Sequence, residues 1–110
     1  KYDILMESLG KFIKQEREKR NWTQTEFGAM IGINTCAICR IENGSQKFSL
    51  CKLEKLSEIF EVDLQQIKNI FFAEKFAKEA YQNNCSNAVF IVAMRIIENI
   101  DNSILNKKTI

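Results

Sequence analysis

The most reactive side chains in this chain are four cysteines, two of which, Cys36 and Cys39, form a Cys-x-x-Cys pair. That spacing supplies half of a four-thiolate zinc site and is also typical of thiol redox switches. Cys51 and Cys85 lie in separate segments, and the chain contains no histidine. Since histidine is the commonest general base and metal ligand, its absence disfavours hydrolytic and metal-assisted catalysis.

Three interpretations of the cysteines are open: a zinc site, a redox switch, or small apolar side chains. Zinc would require thiolates from distant segments to converge, and an enzyme or sensor would rest on Cys36 and Cys39 alone. In a reducing cytoplasm thiols stay free, and cysteine packs as a small hydrophobe. We favour this third interpretation and expect no metal, no cofactor and no enzyme activity.

The composition predicts an all-α fold. The chain has 110 residues, of which 45% are hydrophobic, enough for one compact domain with a short appendage. It has no proline and only four glycines, so little interrupts a helix. The net charge of +2 is too small to indicate a polyanionic partner by itself.

No membrane segment or secretory signal is expected. The longest apolar run is the seven residues 88–94, whereas a spanning helix needs roughly 20. Residues 1–20 are charged throughout and lack the apolar centre and cleavage site of a signal peptide. We therefore expect a cytoplasmic protein.

Helix starts are indicated by capping residues placed between two apolar ones. Thr23 and Glu26 form a capping box, and Trp22 and Phe27 form the hydrophobic staple around it. Similar starts are predicted at Asn34, Ser49 and Asp63. An amphipathic first helix contains Leu9, Phe12 and Ile13. Together these give five helices by about residue 72.

Glycines mark the connections around the third helix. Gly32 leaves about three residues between the second and third helices, which forces a steep crossing. Gly28 would remove bulk where those helices approach each other. Gly44 favours a left-handed end to the third helix, which is therefore expected at about residues 35–43.

The segment from Trp22 to Gly44 resembles the lambda-repressor and Cro type (XRE) helix-turn-helix proteins. The matching features include Gln24 and Glu26 at the start of helix 2, Gly32 in the turn, and the Ile41-Glu-Asn-Gly ending of helix 3. The resemblance covers about residues 9–72, and Gly28 stands where the family usually has alanine. It implies a five-helix DNA-binding domain at residues 1–72. Residues 73–110 lie outside the resemblance, and we expect them to form a helical dimerisation segment for the physical reasons given below.

The resemblance places the third helix in the major groove of double-stranded DNA. Because Ala37, Ile38 and Ile41 should face inward, the opposite face predicts the base contacts, namely Thr35, Cys36, Cys39 and Arg40. Arg40 is the strongest candidate, since a guanidinium can bond O6 and N7 of guanine together. The alternative for Arg40 is a phosphate or solvent contact.

Phosphate contacts are expected on either side of this helix. Gln24 begins helix 2, where helix N-termini favour anions. The resemblance also places Asn43, Ser45 and Lys47 along the sugar-phosphate backbone, although Lys47 could simply be solvated. The family further implies a partly buried salt bridge between Arg17 and Glu42. Trp22 is interpreted as a core residue.

The tail from residue 73 onwards has no such resemblance. Ser86 is predicted to cap a last helix whose apolar surface is wider than one packing face requires. We expect it to form a two-fold homodimer, through Val89, Phe90, Ala93, Met94, Ile96, Ile97 and Ile100. A monomeric core helix and an amphipathic membrane helix are the alternatives for this segment.

The leading hypothesis is a homodimeric repressor that reads a palindromic operator. The main alternative is an antitoxin-type interaction module whose tail binds a partner protein.

Overall fold

The computed structural model describes residues 8–109, with side chains described for residues 8–104. All regular elements in this range are helical, which confirms the predicted all-α fold. Six α-helices follow in chain order, with one short 3-10 turn at Leu50–Lys52 preceding the fourth. They are α1 (Leu9–Lys19), α2 (Gln24–Ile31), α3 (Thr35–Asn43), α4 (Leu53–Phe60), α5 (Leu64–Gln82) and α6 (Ala88–Thr109).

Local capping chemistry starts the first three helices. Thr23 Oγ1 accepts from the amide of Glu26, and the Glu26 carboxylate accepts from the amide of Thr23, so the predicted capping box is present. Asn34 Oδ1 accepts from the amide of Ala37 at the start of α3. Ser8 caps α1 in the same way, which the sequence analysis did not identify.

Two predicted helix starts are wrong in detail. Ser49 makes no side-chain capping bond; its hydroxyl pairs with Cys51 Sγ at 3.0 Å, and a 3-10 turn separates it from α4. After Ser86, the amide of Val89 donates to the Ser86 carbonyl, a hydrogen bond that spans three residues as in a 3-10 turn. Helix α6 begins only at Ala88. In both places bonds spanning three residues satisfy the orphan backbone groups before regular helix begins.

The core lies between α1, α2, α3, α4 and the start of α5, around the ring of Phe60. Phe27 stacks on this ring with centroids 5.3 Å apart, and Phe12 meets it edge-on at 6.3 Å. Trp22 stacks on it at 6.2 Å and packs against the core, as predicted. The other buried apolar side chains are Leu9, Ile13, Ile31, Ala37, Ile38, Ile41, Phe48, Leu53, Leu56 and Ile67.

The described residues up to Lys75 form one compact unit, and those from Phe76 onwards form a second. The second unit contains the end of α5 and all of α6. Eight apolar side chains of α6 are 41% to 62% exposed, namely Phe90, Ile91, Val92, Met94, Ile96, Ile97, Ile100 and Ile104. Of the remaining predicted dimerisation residues, Ala93 is exposed and Val89 is half-buried.

Across residues 8–109, none of the helices combines the length and apolar character required to span a bilayer.

Candidate nucleic-acid interface

The connection between α2 and α3 is a three-residue turn, residues 32–34, that depends on Gly32 in the turn and on Gly28 in α2. Gly32 ends α2 with a φ of 79°, a left-handed conformation that glycine adopts without a Cβ penalty. The amides of Gly32 and Ile33 both donate to the Gly28 carbonyl, at 2.8 and 2.9 Å. Lys52 Nζ donates to the Ile31 carbonyl at 3.1 Å and so caps the end of α2. This turn fixes how α3 leaves α2.

The surroundings of residue 28 explain why it is glycine, where the family usually has alanine. A Cβ at this position would overlap the carbonyl oxygen of Ile33, because the turn folds back over α2. Backbone atoms cannot move away as a flexible side chain would. The predicted close approach at Gly28 is therefore present, and it is between the helix and its own turn.

Helix α3 has a buried face and an exposed face. Ala37, Ile38, Ile41 and Glu42 are buried. The predicted base contacts Thr35, Cys36, Cys39 and Arg40 are all exposed on the other side. Their spacing of one, three and one residues keeps them on a single helical face. Thr35 Oγ1 also lies 3.1 Å from Thr25 Oγ1, which joins the exposed end of α3 to the first turn of α2.

The carboxyl end of α3 folds into a compact hydrogen-bonded loop. Gly44 is left-handed at a φ of 90°, and the amides of Ser45 and Gln46 both donate to the Arg40 carbonyl. Asn43 Oδ1 accepts from the Ser45 amide and hydroxyl at 3.0 and 2.8 Å. Two of the predicted phosphate contacts, Asn43 and Ser45, are thus brought together. Lys47 follows on the same loop and is exposed.

Arg40 has a side-chain partner that sequence reasoning missed. Its Nε donates to Gln46 Oε1 at 2.8 Å, and both residues are exposed. The feature of the sequence that points toward this contact is Gly44, whose left-handed conformation turns the chain back toward the last turn of α3. A reader of the sequence could have inferred the turn from Gly44, but not which side chain meets Arg40.

Gln24 lies at the start of α2 and is half-buried. Its Nε2 donates to Glu42 Oε1 at 3.1 Å, so this predicted phosphate residue is anchored to α3. An amide nitrogen carries two hydrogens, and one bond to Glu42 leaves the second available to a phosphate oxygen.

Arg17 and Glu42 form a buried two-bond ion pair between α1 and α3. Arg17 Nε donates to Glu42 Oε2 at 2.7 Å, and Nη2 donates to Oε1 at 3.0 Å. Nη1 donates to the Trp22 carbonyl at 2.8 Å. The hydrogen bonds that Arg17 donates to Glu42 raise the pKa of Arg17 above its ordinary value, although burial acts in the opposite direction. The guanidinium charge of Arg17 is therefore maintained inside the domain.

The burial of Glu42 determines the charge of the exposed surface around α3. Glu42 is the only carboxylate between Ile33 and Leu53, and its side chain is 3% exposed. Its charge is matched by Arg17, so it does not cancel the cations around it. Arg40 and Lys47 are left on an exposed surface without a facing carboxylate from the same segment. Such a surface favours a polyanion.

The four cysteines are all free and exposed. They therefore do not pack as small core residues, and that part of our expectation is wrong. Among the described side chains, no three histidine, cysteine, aspartate or glutamate groups lie close enough to hold a metal ion. Cys36 and Cys39 instead form part of the exposed face of α3.

Comparison with known proteins identifies the family. A helix-turn-helix family model matches residues 13–67, half of the chain. A solved structure titled as a complex of the SinR and SinI proteins aligns at 20% identity and a TM-score of 0.49, over 86% of this chain and 98% of the other. Among curated proteins, no match is found. The family match shows that the chain belongs to the XRE-type helix-turn-helix family and is a DNA-binding regulator rather than an enzyme.

Proposed function

We propose that the protein is a homodimeric transcriptional repressor that reads a palindromic operator with α3 in the major groove. The observation that carries this proposal is the exposed face of α3. It presents Thr35, Cys36, Cys39 and Arg40 together, while the carboxylate of the same helix is buried. Hydroxyl, thiol, methyl and guanidinium groups on one face can contact base edges. Because it would act on operators, we expect the protein to be cytoplasmic.

The phosphate contacts come from both ends of the motif. Gln24 at the start of α2 has one amide hydrogen left after its bond to Glu42. Asn43, Ser45 and Lys47 lie at the other end, on the loop after α3. Contacts of this kind set the register of α3 on the duplex and carry no sequence information directly.

The exposed apolar surface of α6 supports dimerisation. Ile96, Ile97 and Ile100 are 52% to 58% exposed in the single chain, which is costly for isoleucine in water. A second copy of α6 would cover this surface, and closed two-fold dimers are the commonest assembly. Two recognition helices about 34 Å apart would then match successive major grooves.

Light scattering and operator selection test this proposal together. We expect a dimer that selects a palindrome from random DNA at about 100 mM salt. Ile97→Asp should give monomers and weaken operator binding, because it places a charge in the proposed interface. Asn99→Asp adds the same charge on another face of α6 and should leave the dimer intact. A monomeric protein without a preferred sequence would contradict the proposal.

Light scattering also separates the alternative, an interaction module of the antitoxin type. The exposed apolar surface of α6 would suit a helix of another protein as well as a second copy. A monomer that still binds a selected sequence, with no dimer at any concentration, would favour that alternative.

Thiol protection tests the orientation of α3. Operator DNA is expected to slow alkylation of Cys36 and Cys39 by a maleimide, because the duplex would cover both thiols. With the operator about tenfold above its Kd, the rate should fall roughly tenfold. Cys85, in the segment before α6, provides an internal control and should react at its original rate. Equal labelling of Cys36, Cys39 and Cys85 in the complex, measured by mass spectrometry, would show that this face does not meet DNA.

A further inference from the structure

Gln46 is joined to Arg40 at two points. The Gln46 amide donates to the Arg40 carbonyl at 3.2 Å, and Gln46 Oε1 accepts from Arg40 Nε at 2.8 Å. The first bond fixes the backbone of Gln46 against the end of α3, and the left-handed Gly44 makes that return possible. The second bond then holds the guanidinium of an otherwise exposed side chain.

This arrangement determines which edge of the guanidinium is free. With Nε occupied by Gln46, the two terminal nitrogens Nη1 and Nη2 remain, and they make no hydrogen bond to another residue in the described part of the chain. Together they present two parallel N–H donors. That is the edge that fits the O6 and N7 acceptors of guanine in the major groove.

Holding the side chain in advance also affects selectivity. A free arginine loses considerable rotamer entropy when it binds, and an unrestrained one can swing to a phosphate instead of a base. A residue that restricts the guanidinium reduces this loss and disfavours the phosphate contact. Restricting the guanidinium should therefore change the preference only at the base that Arg40 contacts.

We propose that Gln46 is a positioning residue that presents Arg40 end-on to a guanine in each half-site. The proposal rests on the function proposed above, in which α3 enters the major groove. It adds a specificity determinant outside α3, on the loop that follows it.

The test measures base preference with four proteins: wild type, Gln46→Ala, Gln46→Glu and Arg40→Ala. Each is titrated with the selected operator and with operators in which the guanine pair recognised by Arg40 is replaced. Arg40→Ala should lose the preference at that position, roughly 5- to 150-fold. Gln46→Ala should reduce the same preference about three- to tenfold and leave other positions unchanged. Gln46→Glu keeps an oxygen acceptor for Nε, so its preference ratio should stay close to that of the wild type even where its overall affinity falls.

A double variant separates positioning from other roles. Adding Gln46→Ala to Arg40→Ala should change the preference no further, because Gln46 would act only through Arg40. Since Gln46 is exposed, its replacement should leave the unfolding midpoint unchanged.

Three results would overturn the inference. One is a Gln46→Ala protein that binds all operators more weakly by the same factor, as expected for a phosphate contact. Another is a Gln46→Ala protein that keeps its full preference while Arg40→Ala loses it, in which case the proposed function would stand. The third is a wild-type protein with no preferred sequence, which would contradict the proposed function as well.

Discussion

Replacing Glu42 with alanine is expected to lower the free energy of unfolding by about 3 to 5 kcal/mol. The change leaves the Arg17 guanidinium buried without its counter-ion, since the Arg17 side chain is only 10% exposed. Water cannot compensate for the lost bonds at such a site. Gln24 loses its anchor on α3 as well. The effect is therefore larger than that of an ordinary surface ion pair, which contributes about 0 to 1 kcal/mol.

Urea denaturation at neutral pH measures this loss, and Glu18→Ala is the matched control. Glu18 also lies near Arg17, with 4.0 Å between Glu18 Oε2 and Arg17 Nη2, but its side chain is 57% exposed. We expect its removal to change stability by less than about 1 kcal/mol. If Glu42→Ala proved as mild as Glu18→Ala, the buried pair would not stabilise the domain in the way its geometry indicates.

Gly10→Ala is expected to destabilise the protein by about 1 to 3 kcal/mol. Helix propensity alone predicts the opposite, because alanine is more favourable than glycine inside a helix by about 1 kcal/mol. Gly10 lies in α1 and is buried against α3, where an added Cβ would overlap the carbonyl oxygen of Ile41. The two helix backbones touch there, so α1 and α3 would have to separate.

Thermal and urea unfolding of Gly10→Ala decide between these opposing expectations. Lys14→Ala, at an exposed position of the same helix, controls for propensity and should stay within about 0.5 kcal/mol of the wild type. A Gly10→Ala protein more stable than the wild type would mean that the α1 and α3 backbones are not in contact. Because α3 carries the proposed base contacts, we also expect weaker operator binding from the destabilised variant.

The sequence by itself determined the features that depend on residues close together in the chain. The capping box at Thr23 and the cap at Asn34 involve side chains and amides three residues apart, so their pattern is readable directly. The left-handed end of α3 at Gly44 was also predicted, because it depends on a single residue type at the end of the helix. The exposed face of α3 also followed from helical periodicity, because apolar spacing alone defines the buried side.

Only the tertiary structure decided the features that join distant segments. Gly10 against Ile41, and Lys52 on the Ile31 carbonyl, depend on how whole helices cross, which no local pattern encodes. The bond from Gln46 to Arg40 spans six residues across an irregular loop, and Ser49 was misassigned because a 3-10 turn intervenes before α4. The contacts of Gly10 and Lys52 require the helices to be assembled around the core. The Gln46 bond and the 3-10 turn after Ser49 depend on irregular loop geometry, for which the sequence has no periodic pattern.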